Sequence, residues 1–311
     1  MIVQDDRGAE VGLLTGCVAL LAALPAVVSN PYWLGVLIVS MYFGLLAVAW
    51  NLLAGYAGQF SMAPACFAML GAYTTGLLAQ YWNGSVWMGT LAAILVPALI
   101  GMGLGRIVMR LRGPYLALTT LSFAEISRLI IANSYNVTRG DLGLAVPEMF
   151  SSRLAYYYLF LGALLASLVG VALLLRSPAG LFLLAIRDDE VAARSRGVKV
   201  VFWKTAAFTL SSGLSGMAGA LYAHFSQLVS PELGFIAQTG LVISMVVIGG
   251  IGSLTGPILG AFLVYLGSEA LRRVGGVQLI VFALLVILFA RFFRGGLWGL
   301  ARSAVRRRAA P

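Results

Sequence analysis

Charge is what this sequence has least of. Asp, Glu, Lys and Arg make up 10% of its 311 residues, where a soluble domain carries roughly 25%, so no folding of the chain could cover a water-facing surface. Histidine is nearly absent, with His224 alone, and the two cysteines, Cys17 and Cys66, both sit in apolar runs. That leaves no visible metal-ligand cluster, and the cysteines read as packing residues that say nothing about redox compartment. No nucleophile triad is present either. The Gly249-Gly-Ile-Gly252 run lacks the lysine of a phosphate-binding loop and follows an apolar span, so no nucleotide site and no cofactor are expected. The first ten residues hold Asp5, Asp6 and Glu10 against Arg7, which is the wrong charge for the start of a cleaved signal peptide, and the first span is read as retained.

What the chain does have is apolar length. Hydrophobic residues make up 60% of it, and the mean hydropathy is +0.95. Apolar runs recur at the spacing of membrane-crossing helices rather than barrel strands, giving an all-α polytopic membrane protein of about ten transmembrane helices. The expected spans are Val11 to Ser29, Trp33 to Leu53, Pro64 to Tyr81, Val86 to Met109, Tyr115 to Asn133, Tyr156 to Leu175, Thr205 to Phe225, Gln238 to Gly252, Pro257 to Leu271 and Gln278 to Phe293. The eighth and ninth are short, which suits helices that tilt little, thin the bilayer or are broken. The 37 glycines fit close helix approach in a membrane.

The net charge of +10 would suggest nucleic acid in a soluble protein; here the excess of basic residues on the cytoplasmic side explains it, and no nucleic acid is expected. Arg7, then Arg106, Arg110 and Arg112, then the basic residues between Arg176 and Lys204, then those from Arg291 to Arg308 fall on one side. Both termini are therefore expected in the cytoplasm, with residues 1–10 a short N-terminus, 11–293 the membrane domain and 294–311 a basic tail. Segment 134–155 becomes the long outer loop and 176–204 an inner one. Arg272 and Arg273 are discordant, and if they lie inside, one short span is re-entrant.

Polar residues inside spans are costly and mark function or pairing. Glu125 and Arg128, at i and i+3, are placed to pair on one helix face, either lining a substrate path or locking neighbouring helices. Asn51, Gly55, Gly58, Gln59 and Ser61 form a polar break ahead of Pro64, and Gly249, Gly252, Ser253 and Thr255 form a second ahead of Pro257. Both run from glycine through a hydroxyl to proline, and interrupted segments in corresponding halves point to a central site. His224 is expected at the outer end of its span as an interfacial residue, and Glu269 to pair with Arg272 or Arg273.

The longest polar island is Arg176 to Lys204, with six basic residues and the acids Asp188, Asp189 and Glu190. It far exceeds a simple connection. Pro178 can start a helix and Gly197 can stop one, predicting a single short helix from about Ala179 to Arg196, with the acids near its middle. On composition it is either a solvated cytoplasmic loop or an interface.

Four blocks resemble the permease subunit of branched-chain amino acid ABC importers: NLLAGYAGQFSMAPACFAMLGAY from Asn51, LRGPYLALTTLSFAEISRL from Leu111, IRDDEVAARSRGV with KTAAFTLSSGLSGMAGALYAH from Ile186 to His224, and MVVIGGIGSLTGPILGA from Met245. The closing RGGLWGL at Arg294 resembles the family's end. The resemblance implies a multi-pass protein of the cell inner membrane that is not itself an enzyme. It would work with cytoplasmic ATPase subunits, a second related permease and an external solute-binding protein, all around a lipid bilayer. It also implies that Arg187, Asp188, Asp189, Glu190, Ala192, Ala193 and Gly197 form the ATPase-coupling segment, since Glu190 to Gly197 resembles the E-x-A-A-x-x-x-G motif of importer permeases. Two stretches depart from the pattern: Arg139 replaces a glycine of an outer T-G-G-x-x-G-L block, and Met62 and Pro64 replace a leucine and a polar residue. Branched-chain or other hydrophobic amino acids are the expected cargo. Urea, amides and aromatic or carboxylate compounds are cargoes of relatives, and an ion-driven secondary transporter using Glu125 and His224 is the alternative class.

Overall fold

The computed structural model describes residues 21–25, 30–82, 84–111 and 113–271, with the isolated positions 284, 287, 296, 297 and 299. The first and last expected spans lie largely outside them. So do Cys17, the Arg272/Arg273 pair and the basic tail.

Every expected span between Trp33 and Leu271 coincides with a helix: α1 (Pro31–Asn51), α2 (Pro64–Trp82), α3 (Val86–Val108), α4 (Pro114–Asn133), α5 (Arg153–Arg176), α8 (Val200–Ser226), α9 (Ile236–Gly249) and α10 (Gly256–Leu271). Among the described residues, α1 with the turn that extends it, α3, α4 and α5 are long and apolar enough to cross a bilayer. α2 and α8 are long too, but they spend residues on small side chains. A Cβ on Gly71 would overlap the Gly216 backbone and one on Gly219 the Ala68 carbonyl, so the two backbones touch, as membrane helices do where small residues meet.

Two helices carry the core. α1 is buried almost all round, enclosed by α5, α8, α9 and α10, while α8 packs against α1, α2 and α3. α4 is peripheral: Leu116, Thr120, Ala124 and Ile131 make one buried stripe, and its other faces are largely uncovered. The short span is explained by the chain before α9. A 14-residue helix is about 21 Å long, less than a bilayer core, and the Pro231–Gly234 turn ahead of it packs on α2 and α4, with Gly234 against Met69 and Arg128.

Two expectations need correction. The island between α5 and α8 is not one helix but two, α6 (Pro178–Asp188) and α7 (Glu190–Ser195), because Asp189 turns extended (φ −154°, ψ 107°) and caps the second. His224 is not interfacial; it is fully buried, bonded to Thr75 Oγ1 at 2.9 Å and the Pro147 carbonyl at 2.8 Å. Within the outer loop β1 (Leu144–Ala145) pairs antiparallel with β2 (Leu228–Val229), which fixes the loop to the end of α8. Glu269 accepts a hydrogen bond from Tyr32 on α1, and its expected partners Arg272 and Arg273 lie outside the described residues.

Candidate functional site

The two polar breaks and the charged island meet at one place. After Asn51, α1 widens into a π-helical turn, Leu52–Tyr56, and then unwinds; such turns inside helices often sit at functional sites. Asn51 is buried and uses both ends of its amide: Oδ1 accepts from the Gly252 N–H at 2.8 Å, and Nδ2 donates to the Ser253 carbonyl at 2.8 Å. One side chain of the first break thus pairs backbone groups of the second. Gly55 must lack a side chain here, because a Cβ would strike Asn51 Oδ1 and lie 2.8 Å from the Gly252 nitrogen.

The breaks are tied internally as well. Trp50 Nε1 donates to the Ser61 carbonyl at 2.8 Å, Ser61 Oγ accepts from Ala63 N–H at 3.3 Å, and buried Gln59 donates to the Ala57 carbonyl at 3.1 Å. On the other side Ser253 Oγ donates to the Gly250 carbonyl at 2.7 Å and accepts from Gly256 N–H at 3.2 Å. Gly249 lies against the Gly256–Pro257 backbone with no room for a Cβ. Thr255 is buried, and its hydroxyl has no partner among the described residues.

The island reaches this knot through Arg187, whose Nη1 donates to the Gly55 carbonyl at 3.1 Å while Nε and Nη2 hold Asp188 Oδ1. Gly58, at φ +66°, passes 3.1 Å from the Arg187 side chain if given a Cβ. Beyond Arg187 the elbow is locally over-determined. Asp189 Oδ1 accepts from the Val191 and Ala192 N–H groups at 2.8 and 3.0 Å. At the other end Gly197 takes φ +83°, its N–H bonding the Arg194 carbonyl and that of Val198 the Ala193 carbonyl. This pairing of 5→2 and 6→1 bonds is a Schellman ending. Ala193 packs with Ile186 and Val200, and Ala192 is exposed.

Glu190 bridges the elbow to α8: it accepts from Lys204 Nζ at 2.7 Å and Arg194 at 3.2 Å. Lys204 is 1% exposed and Glu190 19%. Sequence reading missed Lys204, which had looked like the last charge of a solvated loop; the i+14 spacing carries no periodic signal that would have revealed it. A cavity of about 590 Å³ opens beside the elbow, bordered by Gly58, Phe60, Gly113, Arg187, Glu190 and Lys204.

Glu125 and Arg128 are not part of this knot. They pair with each other on α4, Arg128 also lying over the Phe235 ring at 5.1 Å. The Met62 backbone accepts from Thr239 Oγ1 at 3.5 Å and donates to Thr120 Oγ1 at 2.9 Å, joining α9 and α4; the identity of its side chain has no structural explanation.

No solved structure matches the chain. Among curated proteins, it is similar to the high-affinity branched-chain amino acid transport system permease protein LivM of Salmonella typhimurium, 32% identical over 86% of this chain and 70% of the relative. The LivH permease of the same system and organism is 22% identical over 79% of this chain and 88% of the relative. The fructose import permease FrcC of Rhizobium meliloti is 27% identical over 70% of this chain and 59% of the relative. The family model for the branched-chain amino acid transport system permease component matches residues 32–292. The chain therefore belongs to that permease family and is a transport subunit rather than an enzyme.

Proposed function

We propose that this chain forms one membrane half of an ATP-driven importer for branched-chain or other hydrophobic amino acids, with hydrolysis on a separate cytoplasmic ATPase. Amino acids are preferred over sugars as cargo because similarity to the LivM permease extends over more of both chains than similarity to the fructose permease. The observation that carries the mechanism is the hydrogen-bonded line from Arg187 to Gly55 and from Asn51 to Gly252 and Ser253.

In this reading α6 and α7 face the cytoplasm and dock on the ATPase with the exposed side of Asp188, Val191 and Ala192. Closure of the ATPase pushes the elbow. Because Asp189 and Gly197 fix both ends of α7 and Glu190 ties it to Lys204, the push moves the elbow as a body rather than bending it. Arg187 passes the movement to the end of α1, Lys204 to α8, and Asn51 carries it to the turn between α9 and α10. Rearrangement of packed helices around such a junction opens one side as it closes the other. The knot then serves as the transmission. The path itself runs along the uncovered face of α4, where the Glu125 carboxyl is 46% exposed; facing lipid, that would be costly, which supports water or a second, related permease on this face. An external binding protein would deliver the cargo, and the assembly would sit in the cell inner membrane.

The test is uptake of labelled leucine into vesicles holding the permease pair, the ATPase and the binding protein. ATP-dependent uptake without an ion gradient is expected. Uptake driven by a proton or sodium gradient with no ATPase would overturn the assignment, and ATP-driven uptake of fructose but not leucine would overturn the cargo.

A further inference from the structure

We infer that the cavity between the end of α3 and the start of α8 is a seat for the phosphodiester headgroup of an anionic phospholipid. It depends on the chain crossing a membrane, and on neither the cargo nor the ATPase. The cavity measures about 600 Å³ and is lined by Arg110, Arg194, Val198, Lys199, Val201 and Phe202, with Val200 at its back. Among the described residues three cations border it and no carboxylate does. Among the described residues Arg110 and Lys199 take part in no salt bridge, and Arg194 shares Glu190 with Lys204. Of the three cations at the cavity two are thus without a salt bridge among the described residues, a surplus that an anion would relieve.

The backbone adds to that surplus. Lys199 occupies the cap position of α8, with no side-chain cap bond and no acid in the first turn. A cation at the positive end of a helix is unfavourably placed unless a negative group sits nearby.

The apolar rim distinguishes a lipid from a soluble phosphate. Phe202 is 60% exposed and Ile107, one turn before Arg110, is 74% exposed. The Phe202 ring packs on Trp203 and Trp203 on Phe182, each pair 5.2 Å apart. Tryptophans such as Trp203 collect at headgroup level. A phospholipid lying here places its acyl chains beside Ile107 and Phe202 and its phosphate among Arg110, Arg194 and Lys199. Basic pockets at this level between membrane helices are suited to anionic headgroups. Arg194 carries the consequence inward, because its partner Glu190 holds the elbow to α8.

The experiment uses the full chain in nanodiscs of phosphatidylcholine mixed with phosphatidylglycerol, transferred to detergent and weighed by native mass spectrometry. Retained phosphatidylglycerol is expected on the wild type. On Arg110→Gln/Lys199→Gln it should fall roughly tenfold or more, since each cation near an anionic surface contributes about 1 kcal/mol. The charge-preserving Arg110→Lys/Lys199→Arg should retain it, and both pairs should melt like the wild type, as Arg110 and Lys199 are exposed. Arg196→Gln, an exposed cation of the same elbow outside the cavity, should change nothing. Equal retention by wild type and the double glutamine variant would overturn the proposal, as would equal loss with Arg196→Gln, which would mean general surface charge. Displacement of the lipid by inorganic phosphate alone would assign the cavity to a free anion instead.

Discussion

Asn51 and Gly252 lie 201 residues apart in the chain and share a 2.8 Å hydrogen bond that no other side chain in the first break makes to the second among the described residues. Both halves of the asparagine amide are spent on backbone, and the site is buried. Asn51→Ala would strand the Gly252 N–H and the Ser253 carbonyl, and each unmade bond in a buried setting costs about 1–3 kcal/mol. Thermal unfolding in detergent should show a lowered midpoint, and vesicle uptake should fall with it. A melt unchanged from the wild type would mean that the pairing contributes nothing to the packing of α1 on α9 and α10.

Arg187 bears on coupling more than on stability. Its bond to the Gly55 carbonyl crosses from the elbow to the membrane helices, and its side chain is partly open to solvent. Arg187→Gln, unable to reach as far, should leave insertion and melting close to the wild type. Uptake per ATP hydrolysed should drop about tenfold, which corresponds to a coupling loss of about 1.4 kcal/mol. Measuring hydrolysis and uptake in the same vesicles checks this, and a parallel fall in both would point to lost docking rather than lost transmission.

The helices were legible before the fold was known because apolar length alone places a membrane span, and α1 through α5 and α8 through α10 followed it. Glu125 with Arg128 was legible too, since their pairing is local to one helix turn. The knot was only half legible. Glycine, hydroxyl and proline marked both breaks, but Asn51 reaching Gly252 is a long-range contact, and nothing in either segment alone specifies the other. The elbow misled for a different reason: Pro178 and Gly197 are true start and stop signals, yet Asp189 between them is a better cap than a helix interior residue, and it ended one helix to begin another. His224 misled because its position near a helix end suggested solvent, whereas Thr75 on α2 and the loop through Pro147 hold its ring inside.

Gly197 offers a test of the elbow's rigidity free of steric effects. A Cβ there would meet nothing within 4 Å, so only its φ of +83° resists substitution. Gly197→Ala should cost about 1 kcal/mol of local stability. The Val198 amide, which closes the Schellman ending on Ala193, should then exchange with deuterium roughly five times faster. Asn tolerates the left-handed region better, and Gly197→Asn should fall between the two. Equal exchange in all three proteins would mean that the α7 ending is already open in the wild type.

Glu190 and Lys204 are joined by a 2.7 Å bond but are unequally buried, and that inequality fixes which substitution does more harm. Removing the carboxylate, as in Glu190→Gln, leaves an ammonium that is 1% exposed without its counter-charge, the situation in which broken buried pairs cost about 3–5 kcal/mol. Removing the ammonium with Lys204→Met puts an apolar chain of similar length into an apolar slot, while Glu190 keeps Arg194 and some contact with water. Lys204→Met should therefore lower the melting midpoint less than Glu190→Gln. The double variant should recover most of the loss, because no charge is then stranded. Recovery of stability without recovery of uptake would separate the two roles of the pair, since a neutral elbow can pack against α8 without holding Arg194 and α7 in the orientation that transmits the push. If Lys204→Met proves the more damaging change, the pair owes its strength to attraction rather than to avoided burial, and the ordering argued from exposure fails.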